Sequence, residues 1–294
     1  MVKRVLALDA SGVRVLATAR FLARLETELP QSLDDTFDLV VGISSGATLA
    51  CSIGVMAMPA RESVDLFSPH TLRDIFDRTA WERPGDLIQR TPRYDGKGKR
   101  RTLKQFFGDS YLSDASTPTM LVTYDVEARR PLVLSNKGKK RIRTFNAADA
   151  ASALPLFFPT VRVNNRWLID ASPVCGSATL SAYAEARNLW PDEEIKVLSV
   201  GSGLGTRAVP GKQSRTFGVL GWIDHDLLGI AMDTTLVERH ARQLIGNRYL
   251  RVNSELSDVK DELDDTSRQN LDALAKLAER WFAEFGESAL ELLR

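Results

Sequence analysis

Phe37-Asp38-Leu39-Val40-Val41-Gly42-Ile43-Ser44-Ser45-Gly46 runs from an apolar stretch into a turn of small residues. A near-continuous apolar run is how a strand buried on both faces reads. Gly42–Gly46 fits G-x-S-x-G, a sharp strand-to-helix turn that lifts a serine hydroxyl clear of the sheet. Its glycines are needed where side chains would clash with the neighbouring strand and helix. From Leu39 to Ala60 there is no charged residue, about enough length to span a bilayer. Gly42, Gly46, Gly54, the clustered Ser/Thr and Pro59 favour a buried strand, a tight turn and a buried helix instead. Ser44 is therefore a candidate nucleophile; the alternative is a serine that merely caps the following helix.

Outward from this turn the same pattern repeats. Val5–Leu8 is apolar, Asp9-Ala10-Ser11-Gly12 is a second small-residue turn, and Val15, Ala19, Leu22, Leu25 and Leu29 then recur at helical spacing up to Pro30. Strand, turn and helix in succession predict a parallel α/β sheet. Downstream, Met120–Tyr124, Leu132–Leu134 and Ile142–Phe145 read as strands, with Asn136-Lys137-Gly138 as a hairpin turn. Val161–Val163 and Trp167–Ile169 are short strands around Asn164-Asn165. Ser177–Arg187 is helical, Ile195–Val200 is a strand running into Gly201-Ser202-Gly203-Leu204-Gly205, and the C-terminal third is helical apart from a strand at Tyr249–Val252. Thr206 stands where a dinucleotide turn needs its third glycine, so Gly201–Gly205 is read as structural. Arg90–Lys104, with seven basic residues to one acid, reads as an exposed loop. Nothing divides the chain, and residues 1–294 are expected to form one α/β domain.

Composition narrows the chemistry. The 294 residues carry 39 Lys+Arg against 38 Asp+Glu, a formal charge of +1 that argues against nucleic-acid binding. Two cysteines and three scattered histidines build neither a disulfide scaffold nor a zinc site, so no metal or cofactor is expected. Asp9 interrupts the first apolar stretch and removes a targeting signal, which predicts a soluble, cytoplasmic protein.

A serine nucleophile needs a base. The histidines are His70, His225 and His240, and the last shares an Arg-rich helix with Arg239 and Arg242, as a solvated residue would. Asp170, at the end of Trp167-Leu168-Ile169, is the other candidate. If that strand runs parallel to the one before Ser44, Asp170 emerges at the same sheet edge; otherwise it is an ordinary turn aspartate. Backbone N–H groups of Ala10, Ser11 and Gly12, with a helix N-terminus behind them, would hold a developing oxyanion.

These motifs together resemble the patatin-like phospholipases, whose pattern is D-G-G-G-x-R-G, then G-x-S-x-G, then D-G. Asp9-Ala10-Ser11-Gly12-Val13-Arg14-Val15, Gly42–Gly46 and Asp170-Ala171 stand in those places. Tyr94-Asp95-Gly96 with Leu103 and Phe107-Gly108-Asp109, Ala151–Pro159, Leu198–Gly203, and Asp264-Asp265-Thr266-Ser267 with Asn270-Leu271 extend the similarity along nearly the whole chain. The resemblance implies a three-layer α/β/α fold with a mainly parallel central sheet. It further implies a lipid acyl hydrolase with a Ser44–Asp170 dyad, working without cofactor on membrane or micellar lipid through peripheral contact. Arg14, which the family keeps, is assigned to substrate binding, pairing either with a lipid phosphate or with an internal carboxylate. The sequence departs from the pattern at Ala10, Ser11, Val15 and Ala171, and it has Gly176-Ser177-Ala178 where Asn-Asn-Pro is usual. A catalytically impaired member that binds lipid or protein is the alternative these departures raise. The basic stretches 90–104 and 137–143 are either solvated loops or contacts for anionic lipid.

Overall fold

The computed structural model describes residues 1–77, 91–138, 140–205 and 208–294. Arg90, Lys139 and Thr206, which figure in the expectations above, lie outside them. Parallel pairing in the order β3-β2-β1-β7-β8 forms the centre of an eight-stranded sheet, from Thr119–Asp125, Leu39–Ile43, Val2–Leu8, Glu194–Val200 and Tyr249–Val252. Strand alternation sends Leu6, Leu8, Val40 and Leu198 to one face. There they meet α1 (Val15–Glu26), α2 (Ser45–Ala50) and the long C-terminal α8 (Arg268–Leu293). Val5, Ala7, Val41 and Val197 point the other way, against α6 (Thr179–Leu189) and α7 (Thr235–Ile245). α3 (Pro69–Ile75), α4 (Lys97–Phe107) and α5 (Thr144–Ala151) pack into the first of these groups. The result is the expected mainly parallel sheet between two helical layers.

The edge of β3 departs from expectation. β4 (Arg130–Ser135) pairs antiparallel along one edge of β3, from Met120 to Asp125. A strand has only two edges, so β2 and β6 (Arg166–Asp170) share the other end to end: β2 covers Thr119–Val122 and β6 covers Thr123–Asp125. β6 therefore runs antiparallel to β3, and so to β2, not parallel as the condition on Asp170 required. Its short partner β5 (Val161–Val163) joins it through Asn164-Asn165, both at positive φ, as a two-residue hairpin turn requires.

Three local expectations are corrected. Ile142–Phe145 is not a strand, since α5 begins at Thr144; Ala147, Ala148, Ala150 and Ala151 supply helix propensity that outweighs the short β-branched run. The β3–β4 hairpin turns after Asp125, whose Oδ1 accepts the Ala128 N–H at 3.0 Å, while Asn136–Gly138 forms a turn beyond β4. Within Arg90–Lys104, residues from Lys97 onward form α4, with Lys99, Leu103 and Phe107 on its buried face.

β1 and β2 approach closely at their C-terminal ends. A Cβ on Gly46 would stand 2.5 Å from the Asp9 carbonyl oxygen and 2.6 Å from that of Leu8, and one on Gly42 would stand 2.3 Å from the Gly46 oxygen. Backbone cannot yield as a flexible side chain can. Gly46→Ala is expected to lose about 1–3 kcal/mol in urea unfolding, whereas Gly211→Ala, whose added methyl meets nothing within 4 Å, should change stability far less.

Candidate active site

Ser44 links β2 to α2 at φ 57° and ψ −130°, a backbone conformation that an L-residue rarely adopts. This strain is what a serine presented on a sharp strand-to-helix turn shows. Its side chain lines a narrow, mainly apolar cleft walled by Phe67, Leu72, Leu103, Leu154, Phe157 and Phe158. Ser44 does not accept a hydrogen bond that would cap α2.

The end-to-end arrangement of β2 and β6 decides where Asp170 stands. Ile43 pairs with Val122, and Asp170 with the next residue, Thr123. The two strands run toward each other along one edge, so the residue leaving β2 meets the last residue of β6. Asp170 is fully buried, and its N–H is held by the Ala153 carbonyl at 3.0 Å. Oδ1 accepts the Ser172 N–H at 2.8 Å, and the Ser44 side chain interacts with the carboxyl group. Oδ2 has no partner at standard hydrogen-bond geometry, so the Ser44 contact is loose, as catalytic hydrogen bonds often are before substrate binds. Burial pushes the Asp170 carboxyl up to about 6, against the opposing pull of Ser44, Ser172 and the Lys99 ammonium.

The turn after β1 completes the cluster. Gly12 has φ 54° and lines the Ser44 cleft, and the Ser11 hydroxyl lies 2.9 Å from that of Ser45, tying the two turns together. The three backbone donors are not equivalent. Ala10 donates its N–H to the Gly176 carbonyl at 3.3 Å, while those of Ser11 and Gly12 have no partner among the described residues. Gly12 has to be glycine because a Cβ would stand 2.3 Å from the Leu263 carbonyl oxygen, which also accepts the Val13 N–H at 2.9 Å.

Asp9 anchors this turn from below. Its Oδ1 accepts the Ala178 N–H at 2.9 Å, and Oδ2 lies 2.7 Å from Nη2 of Arg251, both side chains being buried. Arg251 also donates to Ser199 Oγ at 2.7 Å and to Thr234 Oγ1 at 3.2 Å. Arg14 does not line the Ser44 cleft. It faces Asp261 and Asp226 in a neighbouring polar cavity formed partly by Ser202–Gly205, and burial holds its guanidinium below the usual arginine range. Of the two partners expected for Arg14, the internal carboxylates are the ones beside it.

No histidine lines the cleft. His70 is exposed near Asp74, His240 is exposed on α7, and His225 stacks on Phe217 at 4.2 Å with Nδ1 2.8 Å from the Gly221 carbonyl. Among the described residues no group of side chains could hold a metal ion, and no helix is long and apolar enough to cross a membrane.

Two charged residues of the site were not found from sequence. Arg251 is a single cation in an apolar four-residue strand, which is a signal for a buried partner. Lys99 was hidden in a basic run, although its spacing to Leu103 and Phe107 places it on one helix face.

A carboxyl buried with a raised pKa costs stability once it ionises. The cost sets in as pH rises from the unfolded value near 4 and is complete above about 6. Asp170→Asn is therefore expected to stabilise the protein at pH 8 by up to about 3 kcal/mol, with the gain vanishing by pH 4, as read from urea unfolding at both pH values.

Comparison with known proteins identifies the family. The family model described as patatin-like phospholipase matches residues 6–174. The chain is 26% identical to Patatin-like protein 2 of Oryza sativa subsp. indica, over 94% of this chain and 82% of the relative. It is 27% identical to a cGAMP-activated phospholipase of Pseudomonas aeruginosa, over 94% and 86% respectively, and 22% identical to patatin of Solanum tuberosum, over 94% and 82%. With the family match spanning more than half of its 294 residues, the chain belongs to the patatin-like phospholipase family.

Proposed function

We propose that the protein hydrolyses fatty-acyl esters of lipids with a Ser44–Asp170 dyad. The observation that carries this reading is the strained Ser44 turn, which lines an apolar cleft and meets the buried Asp170 carboxyl group. The acyl chain lies along the cleft walls, and the ester carbonyl faces Ser44. Ser44 Oγ attacks the carbonyl carbon while its proton passes to Asp170. The N–H groups of Ser11 and Gly12 receive the oxyanion. Collapse of the tetrahedral intermediate expels the alcohol, which takes the proton from Asp170. Water then gives its proton to Asp170 and attacks the acyl-enzyme. The second collapse returns that proton to Ser44 and releases the fatty acid.

Family membership supports the reaction class, and the absence of a cleft histidine supports the carboxylate as base. A carboxylate near pKa 4 is a weak base for a hydroxyl, and burial of Asp170 moves it toward neutrality. On this reading the apolar cleft receives the acyl chain of a membrane or micellar lipid, and contact with that lipid is peripheral.

A second reading has one observation in its favour: the Ala10 N–H is already engaged by Gly176, and losing one oxyanion donor typically costs about a hundredfold in rate. A non-catalytic member would bind lipid in the same cleft.

Hydrolysis of a fluorogenic acyl ester separates the two. Ser44→Ala and Asp170→Asn should each lower kcat by about a thousandfold or more, and His240→Ala should leave it within twofold of the native value. Dependence on His240 would overturn the dyad, and no turnover by the folded native protein would favour the binding reading. The rate should also rise with pH through about 6 and level off above it, since Asp170 acts deprotonated; a rate that falls across this range would contradict its role as base.

A further inference from the structure

Lys99 is 3% exposed and lines the same cleft as Ser44. A buried ammonium is costly unless its donors are filled, and here every donor is directed at one place. Nζ lies 3.0 Å from the Asp149 carbonyl oxygen, 3.1 Å from Asp149 Oδ1, 3.0 Å from the Ser152 carbonyl oxygen and 3.3 Å from Ser152 Oγ. It also sits 4.3 Å from the centre of the Phe158 ring. These oxygens belong to the C-terminal end of α5, where carbonyls lack intrahelical partners and the helix dipole is negative. The next residue, Ala153, supplies the carbonyl that holds the Asp170 N–H at 3.0 Å.

We propose that Lys99 is a positioning residue for the base: it caps the end of α5 whose next residue, Ala153, fixes the Asp170 backbone, and it sets a cation in the cleft that Ser44 lines. The proposal rests on the dyad reading above. The carboxylates on elements around β6 are each paired with a cation, while Arg162 on β5 donates to Asn165 Oδ1 at 3.0 Å. Asp149 on α5 is held by Lys99 and Arg100, Asp125 on β3 by Arg166, and Asp9 after β1 by Arg251. Lys99 is the charged group among them that pulls the Asp170 carboxyl down against desolvation. An uncharged residue there would leave the negative end of α5 without its capping ammonium.

The test is the pH dependence of kcat and KM for a water-soluble acyl ester, measured on the whole chain with Lys99→Met and Lys99→Arg. Lys99→Met is expected to move the acid limb of kcat upward, with kcat recovering at high pH. Lys99→Arg, which keeps the cation, should hold the limb at its native position. Should Lys99→Met fail to fold because Asp149 loses one of its two cations, Lys99→Met combined with Asp149→Asn leaves no new buried charge unpaired, and an upward shift is still expected, smaller because the Asp149 charge is gone as well. An unmoved limb in the folded uncharged variant, or equal shifts in the Met and Arg variants, would overturn the inference. Loss of the native limb in Asp170→Asn is a separate control on the dyad itself, so failure of one reading is distinguishable from failure of the other.

Discussion

Everything at the site depends on a backbone contact. Gly46, in the turn after β2, lies so close to the carbonyls of Leu8 and Asp9 that no side chain fits between them. That contact sets the strained Ser44 turn directly beside the turn that carries Ser11 and Gly12. The Ser11–Ser45 hydroxyl contact at 2.9 Å reinforces the same junction. Nucleophile and oxyanion donors are thus placed by the spacing of two adjacent parallel strands, and flexible side chains contribute little to their relative position.

Placement of the base follows from a different constraint, the limited number of strand edges. Because β4 takes one edge of β3 completely, β2 and β6 must divide the other, and they meet where Ser44 and Asp170 emerge. Antiparallel β6 achieves what a parallel strand would have achieved at the sheet's C-terminal edge, by ending midway along its neighbour. Each turn is in addition backed by a buried ion pair, Asp9 with Arg251 beneath the first and Lys99 with Asp149 beside the base. Removing one member of such a pair typically costs about 3–5 kcal/mol, because the partner is left buried and charged.

Much of this was legible in the sequence, and the limits have physical causes. Gly42 and Gly46 are local signals, since a close backbone approach dictates glycine wherever it occurs, and Ser44 could be located from them alone. Asp170 was legible as a residue at a strand end, but its direction of approach was not, because strand pairing is a non-local choice that leaves no trace in five residues. Ile142–Phe145 misled because a short apolar run has no period of its own, and the alanines that decide the helix lie downstream. The unequal donors at Ala10, Ser11 and Gly12 were invisible for a similar reason: Gly176, which engages Ala10, arrives from far along the chain. Lys99 was obscured by charge itself, since six of the seven cations in its stretch gave no reason to bury the remaining one.

The central claim is that Asp170 activates Ser44 within this cleft. Labelling of the intact protein with a fluorophosphonate, with the modified residue located by mass spectrometry, tests it most directly, because the probe reports nucleophile activation without needing the natural lipid. The account predicts modification confined to Ser44 in the native protein and at least a hundredfold slower modification in folded Asp170→Asn. Modification at another serine, or equal rates in the two proteins, would contradict it.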